Sequence, residues 1–437
     1  MIAYLGAFPL DYRQKALESW TRSIKEKQIK VPDDFNLRRV CVDDLTVTNW
    51  VDKYKLPNDS ISIENATIIK ESSRFPLIID PQLQATKWIH EMYSARLKII
   101  KSSSNQKEIP ILVQLCIQEG FPLLVEGIEE YIDPMYESVF DQIKEPDGKR
   151  MTMKFMDKFY DLNESFKFYV TTKMARPHYP PEICAKVNLI NFTVTLEGLE
   201  DQLINTVVAI EYSDLDARRK KTIQRNSELT KKQIETEAMI LNLLSKQEGN
   251  ILDNDDLILT LNESKKDQNE AAKELENIER TKRKYNETCA LYKEVGFRCS
   301  NLFFCVMDMS NVEPMYQFSL EWFIELYKDA AKTEPRIKES RVPDIIKIFT
   351  ESLFVKVCRS LFEKDKLLFS FLIYLKKLLC DGTITNGQIR ELLLNVVTKE
   401  SPVPNPVSWL SQKQWNQFSE LSKTEAFKGL ADDVVKY

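Results

Sequence analysis

The sequence predicts an α/β fold, a parallel sheet flanked by helices, joined to an α-helical subdomain that carries an antiparallel coiled-coil hairpin. Three observations predict it. Between Phe75 and Phe192, short apolar runs alternate with amphipathic helical stretches, the pattern of βαβ units whose strands are buried on both faces. Glycine is scarce, at 10 of 437 residues, which disfavours turn-rich all-β designs. Residues 199–292 are highly charged and free of proline, with a 4-3 spacing of seam positions.

The elements follow in order. Residues 1–30 have helical spacing, and Pro32 and Pro57 punctuate short helices and loops. PLIID (76–80) reads as a strand feeding a helix that runs to about Arg96, and LKII (97–100) as the next strand. IPILVQLCIQEG (109–120) is a helix leading into the strand PLLVEG (122–127), and FKFYVTT (166–172) is a further strand. In the charged stretch, Leu257, Leu261, Ser264, Gln268, Ala271, Leu275, Ile278, Lys282 and Tyr285 form one seam. Ile223, Thr230, Ile234, Leu241 and Leu244 form a weaker one, and QEGNILDNDD (247–256) is the tip between them. The alternative is a solvated helix pair packed along a domain. After Gly296, residues 319–327, 352–379 and 387–397 read as core-facing helices, SPVPNPVSW (401–409) as a break, and WLSQKQWNQFSEL (409–421) as a helix lacking its partner.

Composition narrows the function. A net charge of −5 and no basic stripe argue against nucleic acid. Eight scattered cysteines contain no CxxC pair, and the two histidines, His90 and His178, lie far apart, so no zinc site is expected and the thiols read as reduced. MIAYLGAFPLDYRQK lacks the basic start and apolar core of a signal peptide. No apolar run approaches the ~20 residues a membrane span needs.

The junction at 80–87 is where a phosphate loop, G-x-x-x-x-G-K-[ST], would lie. Here the residues are Asp80, Pro81, Gln82, Leu83, Gln84, Ala85, Thr86 and Lys87. Asp80 and Ala85 replace the glycines, Thr86 replaces the lysine, and Lys87 the magnesium-binding hydroxyl. A carboxylate at Asp80 repels phosphate, and Asp80-Pro81 reads better as an N-cap followed by a first-turn proline. At the end of the 122–127 strand, Glu126 and Gly127 stand where a nucleotide hydrolase needs an aspartate for magnesium and a glutamate for the attacking water. Glu129 and Glu130 read as a solvated turn. Thr171 and Thr172 are sensor-like positions able to touch a γ-phosphate, or else residues that cap the sheet edge.

This layout, a P-loop ATPase sheet without its chemistry, resembles one family. YLGAFPLDYRQKALESW, LPNDSISIENATII, FPLIIDPQLQATKWI, FKFYVTTKMARPHYPPEI, VNLINFTVTLEGLEDQL, EGNILDND, PMYQFSLEWFIELY and CRSLFEKDKLLFSF look like the dynein heavy chain, in order from Tyr4 to about Gly429. CRSLFEKDKLLFSF looks more like the axonemal dyneins than the cytoplasmic ones. The resemblance implies a ring of six AAA+ modules in one chain. In that frame residues 1–25 end the stalk helix, 26–195 are the large subdomain of the fifth module, 196–338 its small subdomain with the buttress at about 213–292, and 339–437 the start of the sixth. It further implies that ATP and Mg are held in other modules and that no cofactor is bound here. The implied partners are the remaining ring and stalk in cis, microtubules through a stalk tip outside this chain, and other dynein subunits, in the cytoplasm and cytoskeleton at the cilium or flagellum axoneme. Leu83 departs from the family, where glycine is expected in DPQGQ. Arg176, beyond the 166–172 strand, is a candidate for the arginine that AAA+ modules lend to a neighbour's nucleotide, with an ordinary surface arginine as the alternative. Two other readings stay open, a regulatory ATP-binding AAA+ module and a coiled-coil scaffold or adaptor without a motor role.

Overall fold

The computed structural model describes residues 5–29, 41–101, 104–105, 107–147, 150–245, 265, 277, 279–281, 283–333, 341–385, 387–390, 404–423 and 427–436. The chain divides into two compact units, Met1–Lys293 and Glu294–Tyr437, each described by itself.

The first unit opens with α1 (Leu10–Glu26), α2 (Asp44–Asp52) and α3 (Ser60–Glu71), the last capped by Asp59, whose side chain accepts from the Ser62 N–H. Then come β1 (Pro76–Ile79), α4 (Gln84–Tyr93), β2 (Lys98–Lys101), α5 (Ile109–Glu119) and β3 (Leu123–Glu126). α5 stops at Gly120, whose φ of 73° is left-handed; an added Cβ would meet the Asn163 side chain at 2.6 Å and force it to move, so glycine suits the position on both counts. After α6 (Pro134–Phe140), three short strands, β4 (Lys144–Asp147), β5 (Arg150–Phe155) and β6 (Lys158–Asp161), form an antiparallel sheet of their own. β7 (Phe168–Thr172), α7 (Pro181–Lys186) and β8 (Asn188–Asn191) complete the large layer, and α8 (Leu196–Glu211) and α9 (Ser213–Ser245) follow.

The large sheet is parallel throughout, in the order β2-β3-β7-β1-β8. Side chains alternate between its faces. Ile78, Leu124, Tyr169 and Ile190 join a core with Trp50 of α2, Ile68 of α3 and Trp88 and Ile89 of α4. Leu77, Val125, Phe168 and Val170 join a second core with Val113 and Ile117 of α5, Val139 and Phe140 of α6, and Met153 and Phe155 of β5. Both faces are thus dry, which is why these strands read as continuous apolar runs.

α9 runs unbroken for 33 residues and carries Ile223, Thr230, Ile234, Leu241 and Leu244. The tip at 247–256 and the seam residues from Leu257 to Leu275, Ser264 and Gln268 included, lie outside the described residues, as do Ile278 and Lys282. The two ends of the charged stretch meet at its base. The helical residues 283–291 bring the buried Tyr285 ring under Arg219 of α9, with the guanidinium 4.3 Å from the ring centre.

The second unit contains α10 (Lys293–Asp308, beginning at its border), α11 (Leu320–Lys332), α12 (Arg341–Ser360), α13 (Glu363–Cys380), α14 (Gln412–Leu421) and α15 (Leu430–Lys436). The expected helix over 352–379 breaks before Glu363: the Phe362 N–H donates to the Tyr316 hydroxyl, which donates to Asp365 at 2.6 Å. The run Leu367–Leu379 is not core-facing all round, since Phe369 and Leu375 are buried while Leu367 is 80% exposed. α14, expected to lack a partner, buries Trp415 and Leu421 and starts with a capping box between Ser411 and Gln414. Residues 391–397 of the expected 387–397 helix lie outside the described residues.

Candidate functional site

The chemistry-bearing positions converge at the C-terminal edge of three adjacent strands. β3 ends in Glu126, β7 in Thr171 and Thr172, and β1 leads into Asp80; Glu126 stands opposite Thr171, and Thr172 opposite Ile79. Open parallel sheets bind ligands at this edge. Thr171 and Thr172 are buried on the central strand rather than on an outer one. The Thr172 carbonyl accepts from the Asp80 N–H at 2.9 Å, which seats the turn after β1.

The turn departs from the sequence expectation. Asp80 is not the N-cap and Pro81 not the first helical residue; α4 begins at Gln84 and its N-cap is Leu83. Leu83 has φ 59° and ψ 27°, the left-handed region, where a non-glycine residue costs roughly 1–2 kcal/mol. Gln82 is drawn back toward the sheet, its Oε1 accepting from the Val194 N–H at 3.4 Å.

Asp80 is fully buried and turned into the helix start. Its Oδ1 accepts from the Gln84 N–H at 2.8 Å; its Oδ2 accepts from the Thr86 N–H at 2.8 Å and the Thr86 hydroxyl at 2.9 Å. The Ala85 N–H also points to this carboxylate. Successive N–H groups at a helix start form an anion nest, the device by which a phosphate loop grips phosphate. Here the chain's own carboxylate fills that nest, and the Thr86 hydroxyl is spent on it. Burial raises the Asp80 pKa, and the hydrogen bonds from Thr86, Gln84 and Ala85 pull the other way. Lys87 is exposed, and Ala85 is fully buried beneath the turn.

Glu126 is engaged too. His90, two turns into α4, lies 2.6 Å from its Oε1, and Lys101 of β2 lies 3.8 Å from Oε2. No local pattern pairs His90 with Glu126, because the pairing depends on helix register across the sheet. Gly127 has φ 74°, so the chain leaves β3 through a conformation that glycine adopts without strain, and its N–H donates to the Thr171 carbonyl at 2.9 Å. Glu129, Glu130 and Arg176 are exposed, with Glu130 3.9 Å from the His178 ring. Among the described residues, no group of three or more His, Cys, Asp or Glu side chains could hold a metal, and no helix is long and apolar enough to cross a membrane.

Beside the turn, the space between α3, α4 and α8 is nearly closed. The cavity bordered by Asp59, Asn65, Gln84, Thr193 and Gln202 holds about 10 Å³, against the several hundred Å³ of ordinary ligand pockets. Gln84 donates to Gln202 at 3.1 Å, and Gln202 donates to the buried Asp59 at 2.9 Å. Burial pushes the Asp59 carboxyl from 3.8 up to about 6, against the hydrogen bonds from Ser62 and Gln202. Native Asp59 therefore holds its proton over a range where the unfolded chain has lost it, so stability falls as pH rises from about 3.8 to about 6 and is level above. Denaturant titrations at pH 4 and pH 7 on the wild type and Asp59→Asn measure this. The wild type is expected to lose more stability than the variant between the two pH values, and equal losses would contradict the assignment.

The family described as the ATP-binding dynein motor region matches residues 48–271, which take in the whole parallel sheet and all of α9. The chain belongs to that dynein family. Relatives extend over this entire dynein segment: dynein axonemal heavy chain 3 of Mus musculus is 37% identical over 439 residues, and dynein axonemal heavy chains 1 and 6 of Homo sapiens are each 35% identical. Each alignment covers 100% of this chain and 10–11% of the relative, so the segment spans about a tenth of the relatives it matches. The dynein family carries the name of an ATP-binding region, yet in this member the turn that would hold phosphate is filled by Asp80.

Proposed function

We propose that this segment is a non-catalytic ring and buttress part of an axonemal dynein heavy chain, a microtubule motor of cilia or flagella. In this reading ATP and Mg act in other modules, and this segment binds neither. Residues 26–195 serve as the large subdomain of a fifth AAA+ module, 196–338 as its small subdomain with the buttress at about 213–292, 1–25 as the end of the stalk helix, and 339–437 as the beginning of a sixth module. Shifts made elsewhere in the ring pass through this sheet to α9, and from there to the stalk that meets the microtubule. The partners are the rest of the ring and stalk in cis, microtubules, and other dynein subunits. The names of the relatives, all axonemal heavy chains, support the location and the motor context.

One observation carries the non-catalytic part: the Asp80 carboxylate accepts the hydrogen bonds that a phosphate would need. Calorimetry with Mg-ATP on the purified protein tests it. No heat of binding is expected at millimolar ATP. Micromolar binding abolished by Thr86→Val would instead make this a regulatory nucleotide site. Arg176, exposed beyond β7, stays a candidate for contact with a neighbouring module's nucleotide.

A further inference from the structure

The filled cavity beside the phosphate turn continues into a chain of side chains that ends at the base of the long helix. Gln84, the first residue of α4, donates its backbone N–H to Asp80 and its side-chain amide to Gln202 of α8. Gln202 donates to Asp59, and Asp59 accepts from the Ser62 N–H at the start of α3. One turn further along α8, Asn205 donates to the Asn58 carbonyl at 2.9 Å and accepts from the Tyr285 hydroxyl at 2.8 Å. The Tyr285 ring lies under Arg219, and the next residue, Lys220, pairs with Asp52 at the end of α2 at 2.9 Å. Asp59, Gln202 and Tyr285 are all more than nine-tenths buried. Gln202 and Asn205 thus lie three residues apart on one face of α8. Together they hold the Asn58–Asp59 loop, and Asn205 also holds Tyr285 of the helical residues 283–291.

Apolar contacts can slide past one another at small cost. A buried amide network cannot, because a slip of one position leaves donors and acceptors unpaired. We infer that this network is a rigid joint, set by side chains where a bound ligand is absent from the design, that makes the base of α9 move as one body with the parallel sheet. Gln202 and Asn205 are its positioning residues. The inference rests on the reading of an unused nucleotide site and adds how motion leaves that site.

Amide hydrogen exchange on the intact polypeptide decides it. Three variants are compared with the wild type: Gln84→Met, Gln202→Met and Tyr285→Phe. Gln84 touches neither of the two base segments, so its variant carries the decision. Exchange in residues 213–222 and 283–291 is expected to rise about tenfold or more in all three, with β1 and β7 unchanged, as for a local opening of the joint. Unchanged exchange at the base in Gln84→Met overturns the joint. A uniform rise that includes β1 and β7 also overturns it, because the network would then support only the fold as a whole. ATP binding by the wild type would sink the unused-site reading by a separate measurement, so the two failures are distinguishable.

Discussion

Arg13→Ala is expected to cost the first unit about 3–5 kcal/mol, the loss typical of removing one partner from a buried charged cluster. Arg13 is 2% exposed and holds three groups at once: the Phe8 carbonyl at 2.8 Å, the Gly6 carbonyl at 3.0 Å and Asn65 Oδ1 at 2.8 Å. Among the described residues its other terminal nitrogen meets Glu64, at 3.5 Å, an ion pair rather than a tight hydrogen bond. Asn65 in turn donates to the Asn191 carbonyl at the end of β8. The guanidinium therefore ties α1 to α3 and to the outer strand of the sheet. Burial lowers its pKa and raises that of Glu64, so each depends on the other for its charge. Truncation leaves Glu64 and Asn65 without their cation. Arg13→Lys should recover only part of the loss, because an ammonium cannot span three acceptors in one plane. Denaturant unfolding gives both numbers; a loss under about 1 kcal/mol for the alanine variant would show that water replaces the guanidinium easily.

Asp80→Ala is expected to cost about 2–4 kcal/mol. The N–H groups of Gln84 and Thr86 and the Thr86 hydroxyl lose their acceptor, at roughly 1–3 kcal/mol for each buried orphan, offset in part because a desolvated carboxylate is no longer held in the interior. The variant also empties a nest that favours anions. Formate, the size of the deleted group, should then restore part of the stability of Asp80→Ala and leave the wild type unchanged. Equal effects of formate on both proteins would mean that the nest collapses when the carboxylate goes. Asp80→Asn separates charge from shape: it keeps one acceptor, and its loss should be about half that of alanine.

What could be read from the sequence depended on whether a signal was local. Leu77 to Ile79, Leu123 to Val125 and Phe168 to Val170 are buried on both faces, so their apolar runs announce a parallel sheet directly. β8, written NLIN, begins and ends with asparagine and was hidden by it. The sheet β4–β6 is hard to read from sequence because KEPD, RMTMKF and KFYD are largely exposed and charged, with Met153, Phe155 and Tyr160 packed against the core. Asp80 reads as a capping carboxylate, but the left-handed turn at Leu83 moves the helix start three residues on, a backbone choice that a leucine does not advertise. The Arg13 anchor left a trace that local reading can use. Leu10, Arg13, Leu17 and Trp20 share one helical stripe, and a charge on an otherwise apolar stripe marks a buried partner.

The length of α9 sets a mechanical requirement at its base. A helix of 33 residues extends about 50 Å, and its end lies about 39 Å beyond Arg219, so a tilt of about 8° there displaces that end by about 5 Å, close to one helical pitch. At the pivot the same tilt corresponds to changes of a few tenths of an ångström, less than the play in a hydrogen bond. A lever with that gain conveys noise as readily as signal. In the mechanical reading proposed above, a stiff bearing beneath it, of the kind that Tyr285, Asn205 and Lys220 would supply, would keep thermal wobble from swamping the movement.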